Sequence, residues 1–127
     1  MTAYAIAHLY PEGLPGEEVL DYIARIQSTM DPYEGRFLVH NTPVEVVEGD
    51  WPGALVVIAF PTMEATRAWY ASPAYQELLP LRTRNMAADV VFVDGVGPDY
   101  DATATAAVMR TAVLQEAAAG TPGPRGN

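Results

Sequence analysis

The sequence contains no cysteine and no lysine. Without cysteine there is no disulfide, no thiolate metal site, no iron–sulfur ligation and no thiol nucleophile. Without lysine there is no Schiff-base chemistry and no internal anchor for pyridoxal phosphate. Positive charge is scarce: seven arginines face 16 acidic residues, for a net charge of −9. Such a surface repels nucleic acid and anionic membranes, so neither is an expected partner. No apolar run approaches the roughly 18 residues of a membrane span. Residues 1–10 carry no positive charge and no apolar run of signal-peptide length, so a soluble cytoplasmic protein is expected. The motifs that announce a cofactor or a known nucleophile are missing too. There is no G-x-G-x-x-G after a strand, no phosphate-binding P-loop, no H-E-x-x-H and no G-x-S-x-G elbow. No cofactor is therefore expected.

What is present is a globular composition. The chain has 127 residues, half of them hydrophobic and 18% charged. That is one domain's worth, with enough apolar residues for a core and too many for disorder. The lysine-free, Ala- and Arg-rich composition looks like that of a high-GC bacterial genome.

Hydrophobic periodicity divides the chain. Residues 4–10 alternate loosely and predict a strand, closed by Pro11, Gly13, Pro15 and Gly16. Val19, Tyr22, Ile23, Ile26 and Met30 then recur at helical spacing, with Glu17 and Glu18 placed to favour the positive end of the helix dipole. Asp31-Pro32 stops that helix. Residues 35–40 predict a second strand, Asn41-Thr42-Pro43 a turn, and residues 44–48 a third strand. A hairpin there would pair His40 with Val44, Leu38 with Val46 and Arg36 with Glu48. Residues 54–60 form an almost unbroken apolar run, as a central strand buried on both faces would. Thr62 is the expected N-cap of a helix to Ala71, and Ser72-Pro73 restarts it. In the restarted helix Tyr75, Leu78, Leu79 and Arg82 share one face, and Pro80 is expected to kink or shorten it. Residues 88–94 predict the last strand.

The order is β-α-β-β-β-α-β. Setting aside the hairpin extension at residues 44–48 leaves β-α-β-β-α-β, the ferredoxin-like arrangement of an α+β fold. Its antiparallel sheet has both helices on one face. The other face needs a partner, and a second copy, sheet against sheet, is expected: a homodimer. Residues 1–98 form this domain. Residues 99–119 read as a C-terminal helical extension capped by Asp101, whose Val108, Met109, Ala112 and Val113 form a thin apolar stripe that should pack on something. Residues 120–127 read as a disordered tail.

Several segments resemble one bacterial family. Gly35-Arg36-Phe37-Leu38-Val39, Glu45-Val46-Val47-Glu48-Gly49, Phe60-Pro61 and Ser72-Pro73-Ala74-Tyr75-Gln76 are similar to the motifs of domain of unknown function 1330, over roughly residues 3–95. The resemblance implies a dimeric α/β barrel. That superfold is shared by haem-degrading monooxygenases, cofactor-free quinone-forming monooxygenases and muconolactone isomerases, and it transfers fold far better than reaction. The chain departs from the family's pattern at His40, where members often carry Arg, and at Ala59, where they often carry Glu. The extension beyond Gly97 lies outside the family's usual end.

Candidate catalytic residues follow from side-chain chemistry. His8 and His40 titrate near neutrality and are candidate general bases; the structural alternatives are a hydrogen-bonded sheet residue and a rim residue. Arg36, inside a strand, needs a carboxylate such as Glu48 or an anionic ligand that its planar fork can hold. In this register His40 and Leu38 share the face of Arg36. Tyr4, Trp69, Tyr70, Tyr75 and Arg82 are candidate substrate-binding residues. For the aromatics the alternative is core or dimer interface; for Arg82 it is the surface or an interface. Trp51 is a lid or a plug. Two histidines without a third ligand at readable spacing do not make a metal site, so no metal is expected.

The resulting expectation is a small-molecule enzyme without a tightly bound cofactor. It would act by proton transfer on an activated carbonyl compound, in the manner of an isomerase, cyclase or monooxygenase of bacterial secondary metabolism. A non-catalytic ligand-binding or interaction dimer is the first alternative, and a haem enzyme with an axial histidine the second.

Overall fold

The computed structural model describes residues 1–120. Met1–Val96 forms one compact unit, and Gly97 opens a second.

In the first unit the order is β1 (Ala3–Tyr10), α1 (Glu17–Met30), a short 3-10 turn (Asp31–Tyr33), β2 (Arg36–His40), β3 (Ala54–Phe60), α2 (Met63–Ala71), α3 (Pro73–Thr83) and β4 (Ala87–Asp94). The strands form one sheet in the order β2-β3-β1-β4 with antiparallel neighbours, the ferredoxin-like arrangement expected. The capping residues act as their chemistry dictates. Thr62 accepts from the Ala65 amide to start α2, and Ser72 accepts from the Tyr75 amide to start α3 with Pro73 at its first position. The α3 helix continues past Pro80 to Thr83 rather than stopping there. Pro80 is exposed, so its ring sits on the solvent side of the helix.

Strand register sorts the side chains into two faces. Phe37, Ile58, Ala5 and Phe92 lie in one row across the sheet, and His40, Val56, Ala7 and Val90 in another. Both rows face the helices. There Val56, Ile58 and Phe60 pack with Tyr22, Ile26, Met30, Trp69, Tyr75 and Leu78 as the core. The intervening rows, Arg36–Ala59–Tyr4–Val93 and Val39–Val57–Ile6–Val91, point the other way. On that open face Val91 and Val93 are exposed and Ile6, Leu55 and Val57 half-buried. The apolar run of β3 is thus central, but within one chain it is fully covered only on its helix side.

Two expectations about β2 are overturned. Residues 44–48 form no strand: residues 41–53 are an irregular connection, and Val44, Val46 and Val47 are exposed. The alternating valines supply local strand preference. However, a strand needs a neighbour's edge, and Pro43, with no N–H to donate, and the left-handed Asn41 (φ 61°), Gly49 (φ 78°) and Gly53 (φ 100°) turn the segment away from one. Arg36 accordingly lies opposite Ala59, not Glu48. Second, a bulge interrupts β2 between Phe37 and Val39. The extra residue, Leu38, reverses the alternation, so His40 falls on the face of Phe37 and not on that of Arg36.

In the second unit, α4 (Ala102–Ala119) starts at Asp101, whose carboxylate accepts from the Thr103 amide, and ends at left-handed Gly120. Val108, Met109, Val113 and Leu114 are all exposed. Apart from Gly120, the expected disordered tail at 120–127 lies outside the described residues.

Candidate functional site

A cavity of about 390 Å³ lies between the sheet and its helices. Its floor is Ala5, Ala7, Leu9, Val56 and Ile58. Its walls carry the rings of Tyr22, Phe37, Trp69, Tyr70 and Tyr75, and Pro11 to Gly16 form the rim with Asn41 and Asn85. Size and lining suit a small organic ligand.

The aromatic wall is held from behind. The Trp69 indole N–H donates to Thr29 Oγ1 at 3.0 Å, and that hydroxyl donates to the Ile26 carbonyl at 2.7 Å, so the ring's one polar atom is satisfied in the core. Ser72, by starting α3, fixes where Tyr75 leaves the backbone. Tyr75 meets Tyr22 of α1, their hydroxyls 2.7 Å apart. Burial, and then the neighbouring Tyr22, push the Tyr75 phenol well above the usual tyrosine range.

About two turns along α3, Arg82 is only 7% exposed, and its guanidinium lies 5.8 Å over the Tyr22 ring. Among the described residues the ion pairs are Arg25–Asp21, Arg25–Glu77 and Arg84–Glu18, all at the surface, and none includes Arg82. Burial works against its charge, but the adjacent oxygens of Tyr22 and Tyr75 outweigh that and strengthen the guanidinium's hold on its proton. Among the described residues Arg82 is the one buried arginine, and it opens on the cavity without a carboxylate partner.

His40 lines the same cavity with its ring stacked on Phe37, centroids 4.0 Å apart. Burial lowers its pKa below the ordinary 6.5, which leaves the imidazole neutral and able to accept a proton at neutral pH.

The structure therefore divides the sequence candidates. His40, Trp69, Tyr70, Tyr75 and Arg82 come together at the cavity. Arg82 is buried, not the surface residue its chemistry suggests. His8, Tyr4 and Arg36 sit on the open face. Arg36 is exposed and borders a shallow depression with Thr2, Glu34 and Ala59. His8 lies between two rings, Trp51 at 4.0 Å and Tyr10 at 4.3 Å. Its Nε2 bonds the Pro52 carbonyl, Nδ1 meets the Tyr10 hydroxyl at 3.2 Å, and that hydroxyl donates to Asp89 at 2.8 Å. Trp51 thus stacks on His8 and is not among the residues that line the cavity. The expected sharing of one face by Arg36 and His40 does not occur; His8 lies on the face of Arg36, and His40 on the other. Tyr22 was hidden in the sequence as one member of an apolar helical stripe; the only signal was a phenol among aliphatic neighbours. Among the described residues, no three His, Asp or Glu side chains are grouped to hold a metal, and no helix is long and apolar enough to cross a membrane.

Fold and site together define a ferredoxin-like α+β domain with an internal ligand-sized cavity. The chain belongs to the family described as domain of unknown function DUF1330, whose model matches residues 2–96. Similar solved structures support the fold. A protein of unknown function from Rhodopseudomonas palustris matches with a TM-score of 0.60 at 12% identity, over 76% of this chain and 84% of that one. A dimeric ferredoxin-like protein of unknown function from Jannaschia sp. CCS1 matches with a TM-score of 0.52 at 17% identity, over 75% and 100%. A variant of SnoaB, a cofactor-independent oxygenase from Streptomyces nogalater, matches with a TM-score of 0.55 at 13% identity, over 79% and 98%. No curated protein matches the sequence.

Proposed function

We propose that this is a cytoplasmic bacterial enzyme that moves a proton on a small activated carbonyl compound, without a tightly bound cofactor, and works as a homodimer. The observation that carries the reading is the buried, carboxylate-free Arg82 on the cavity that His40 also lines. Neutral His40 would take a proton from carbon next to the carbonyl and become imidazolium. The electron pair would move onto the carbonyl oxygen, and the guanidinium of Arg82 and the Tyr22–Tyr75 pair would stabilise the enolate. Return of the proton to another carbon would complete an isomerisation. Attack of the enolate carbon on a second carbonyl of the same substrate, with that π pair moving onto oxygen and taking the proton, would complete a cyclisation. Electron transfer from the enolate to dioxygen would begin an oxygenation. The likeness to SnoaB is in keeping with such chemistry on this fold. Support for the homodimer comes from the uncovered apolar residues of the open face and from neighbours described as dimeric.

The test is hydrogen–deuterium exchange at carbon, followed by NMR in D₂O with a panel of 1,3-dicarbonyl and hydroxyaromatic compounds. The wild-type protein should accelerate exchange in at least one, and His40→Gln and Arg82→Met should each lower that rate on the order of 100-fold or more. Binding without exchange anywhere in the panel would leave a non-catalytic ligand-binding dimer in its place.

A further inference from the structure

We propose that the cavity selects flat, largely apolar molecules of one or two rings bearing a single delocalised negative charge, and rejects their neutral and dianionic counterparts. The location of the site is that of the proton-transfer reading above; the ligand class stands or falls on binding alone.

A count of donors and acceptors carries this. Arg82 brings five N–H donors and no acceptor. Tyr22 and Tyr75 bring two hydroxyl protons, but the bond between them uses one, so the pair keeps one proton to donate outward. Arg82 cannot accept it. Asn85, at the rim, spends its amide nitrogen on Glu18 at 2.9 Å and the Leu81 carbonyl at 2.7 Å, which leaves its Oδ1 as an acceptor there. The one carboxylate lining the cavity, Glu12, stands on the exposed turn of the rim. Arg82 and the tyrosine pair together bring more donors than acceptors, in a protein whose net charge is −9. This part of the cavity is built to receive negative oxygen.

The amount of charge follows from having one cation. A monoanion neutralises the buried guanidinium. A neutral ligand leaves that guanidinium without a counter-charge, and a phosphate dianion brings a second charge with nothing to match it in a low-dielectric space. The shape follows from the walls. Five aromatic rings and a floor of alanine, valine and isoleucine favour a flat apolar body, and about 390 Å³ is near the small end of ligand pockets. A carboxylate and an ionised enol both satisfy the count.

Isothermal titration of the full-length protein with four naphthalene-sized probes tests it. They are 2-naphthoate, the ionised enol 2-hydroxy-1,4-naphthoquinone, neutral 2-naphthylmethanol and 2-naphthyl phosphate. At least one of the two monoanions should bind on the order of 10- to 100-fold more tightly than both the alcohol and the phosphate. Preference for the naphthoate alone assigns a carboxylate, and preference for the quinone alone an enolate. Equal binding of the alcohol, a preference for the phosphate, or no binding by any probe overturns the proposal. In Arg82→Met the monoanion should fall to the affinity of the alcohol. The wild-type series stands by itself if that variant does not fold, and the double variant Tyr22→Phe/Tyr75→Phe, which removes both phenol protons, gives a milder second check. Monoanion selectivity without exchange on any carbon acid would keep the ligand class and discard the enzyme; exchange on neutral compounds without charge selectivity would do the reverse.

Discussion

The hydroxyls of Tyr22 and Tyr75 lie 2.7 Å apart although 53 residues separate them in the chain. The bond ties α1 to α3 under Arg82, and it exists only because both helices pack on the same face of one sheet. Each phenol supplies the other's buried partner, so neither oxygen is an orphan in the core.

The raised Tyr75 phenol gives alkaline pH a direction. The folded chain keeps a proton above the ordinary tyrosine value of 10.0 that the unfolded chain releases. The unfolded state then binds fewer protons, so stability falls as pH rises past about 10. Tyr75→Phe should cost about 1 kcal/mol at neutral pH through the lost bond and should flatten the alkaline fall. Urea unfolding of both proteins at about pH 8 and pH 10.5 measures it, and an equally steep fall in the variant would count against the assignment.

His40 gives the opposite edge. Its pKa is lowered by burial, so as pH drops through 6.5 the unfolded chain protonates first. This residue takes nothing from stability above that pH, and its neutral burial becomes a growing penalty below it, down to its folded pKa. The difference in melting temperature between pH 7.5 and about pH 5 should therefore be smaller for His40→Phe than for the wild type. An identical difference would show that the imidazole is not buried.

Gly35 should not tolerate a side chain. A Cβ there would stand 2.4 Å from Cε1 of Phe60, a ring only 1% exposed and packed against Trp69 at 5.3 Å. Gly35→Ala should destabilise by about 1–3 kcal/mol, read as a drop in melting temperature with little change in ligand affinity. The pair also gives a physical reason for two of the segments that resemble the family, Gly35-Arg36-Phe37 and Phe60-Pro61.

Light scattering should give twice the chain mass at micromolar concentration, because the open face exposes Val91 and Val93 beside half-buried Ile6 and Val57. Val108, Met109 and Val113 are exposed within one chain, so their cover would come from the second copy, and truncation after Pro98 should then lower stability on the order of 2–5 kcal/mol. A single-chain mass would remove the dimer, and an unchanged melting temperature would make α4 a tail.

Much of this molecule was legible in the sequence because local rules decide it. Thr62, Ser72-Pro73 and Asp101 start helices through their own side chains, and the stripes from Val19 to Met30 and from Tyr75 to Arg82 declare which sides are buried. Strand order followed from element order once the strand at residues 44–48 was set aside. That strand was itself misread, since alternating valines cannot show whether an edge awaits them. The site was less legible. One extra residue at Leu38 moves His40 from the face of Arg36 to the face of Phe37, and no local propensity marks where a ladder slips. The burial of Arg82 is equally non-local: its spacing fixes the helix face, but the phenol of a helix 60 residues earlier decides that a guanidinium can stay there without an acid. Periodicity and capping chemistry thus determined the elements and their buried sides. Only the tertiary structure decided which histidine and which arginine share a cavity, because that depends on register and on contacts between segments far apart in the chain.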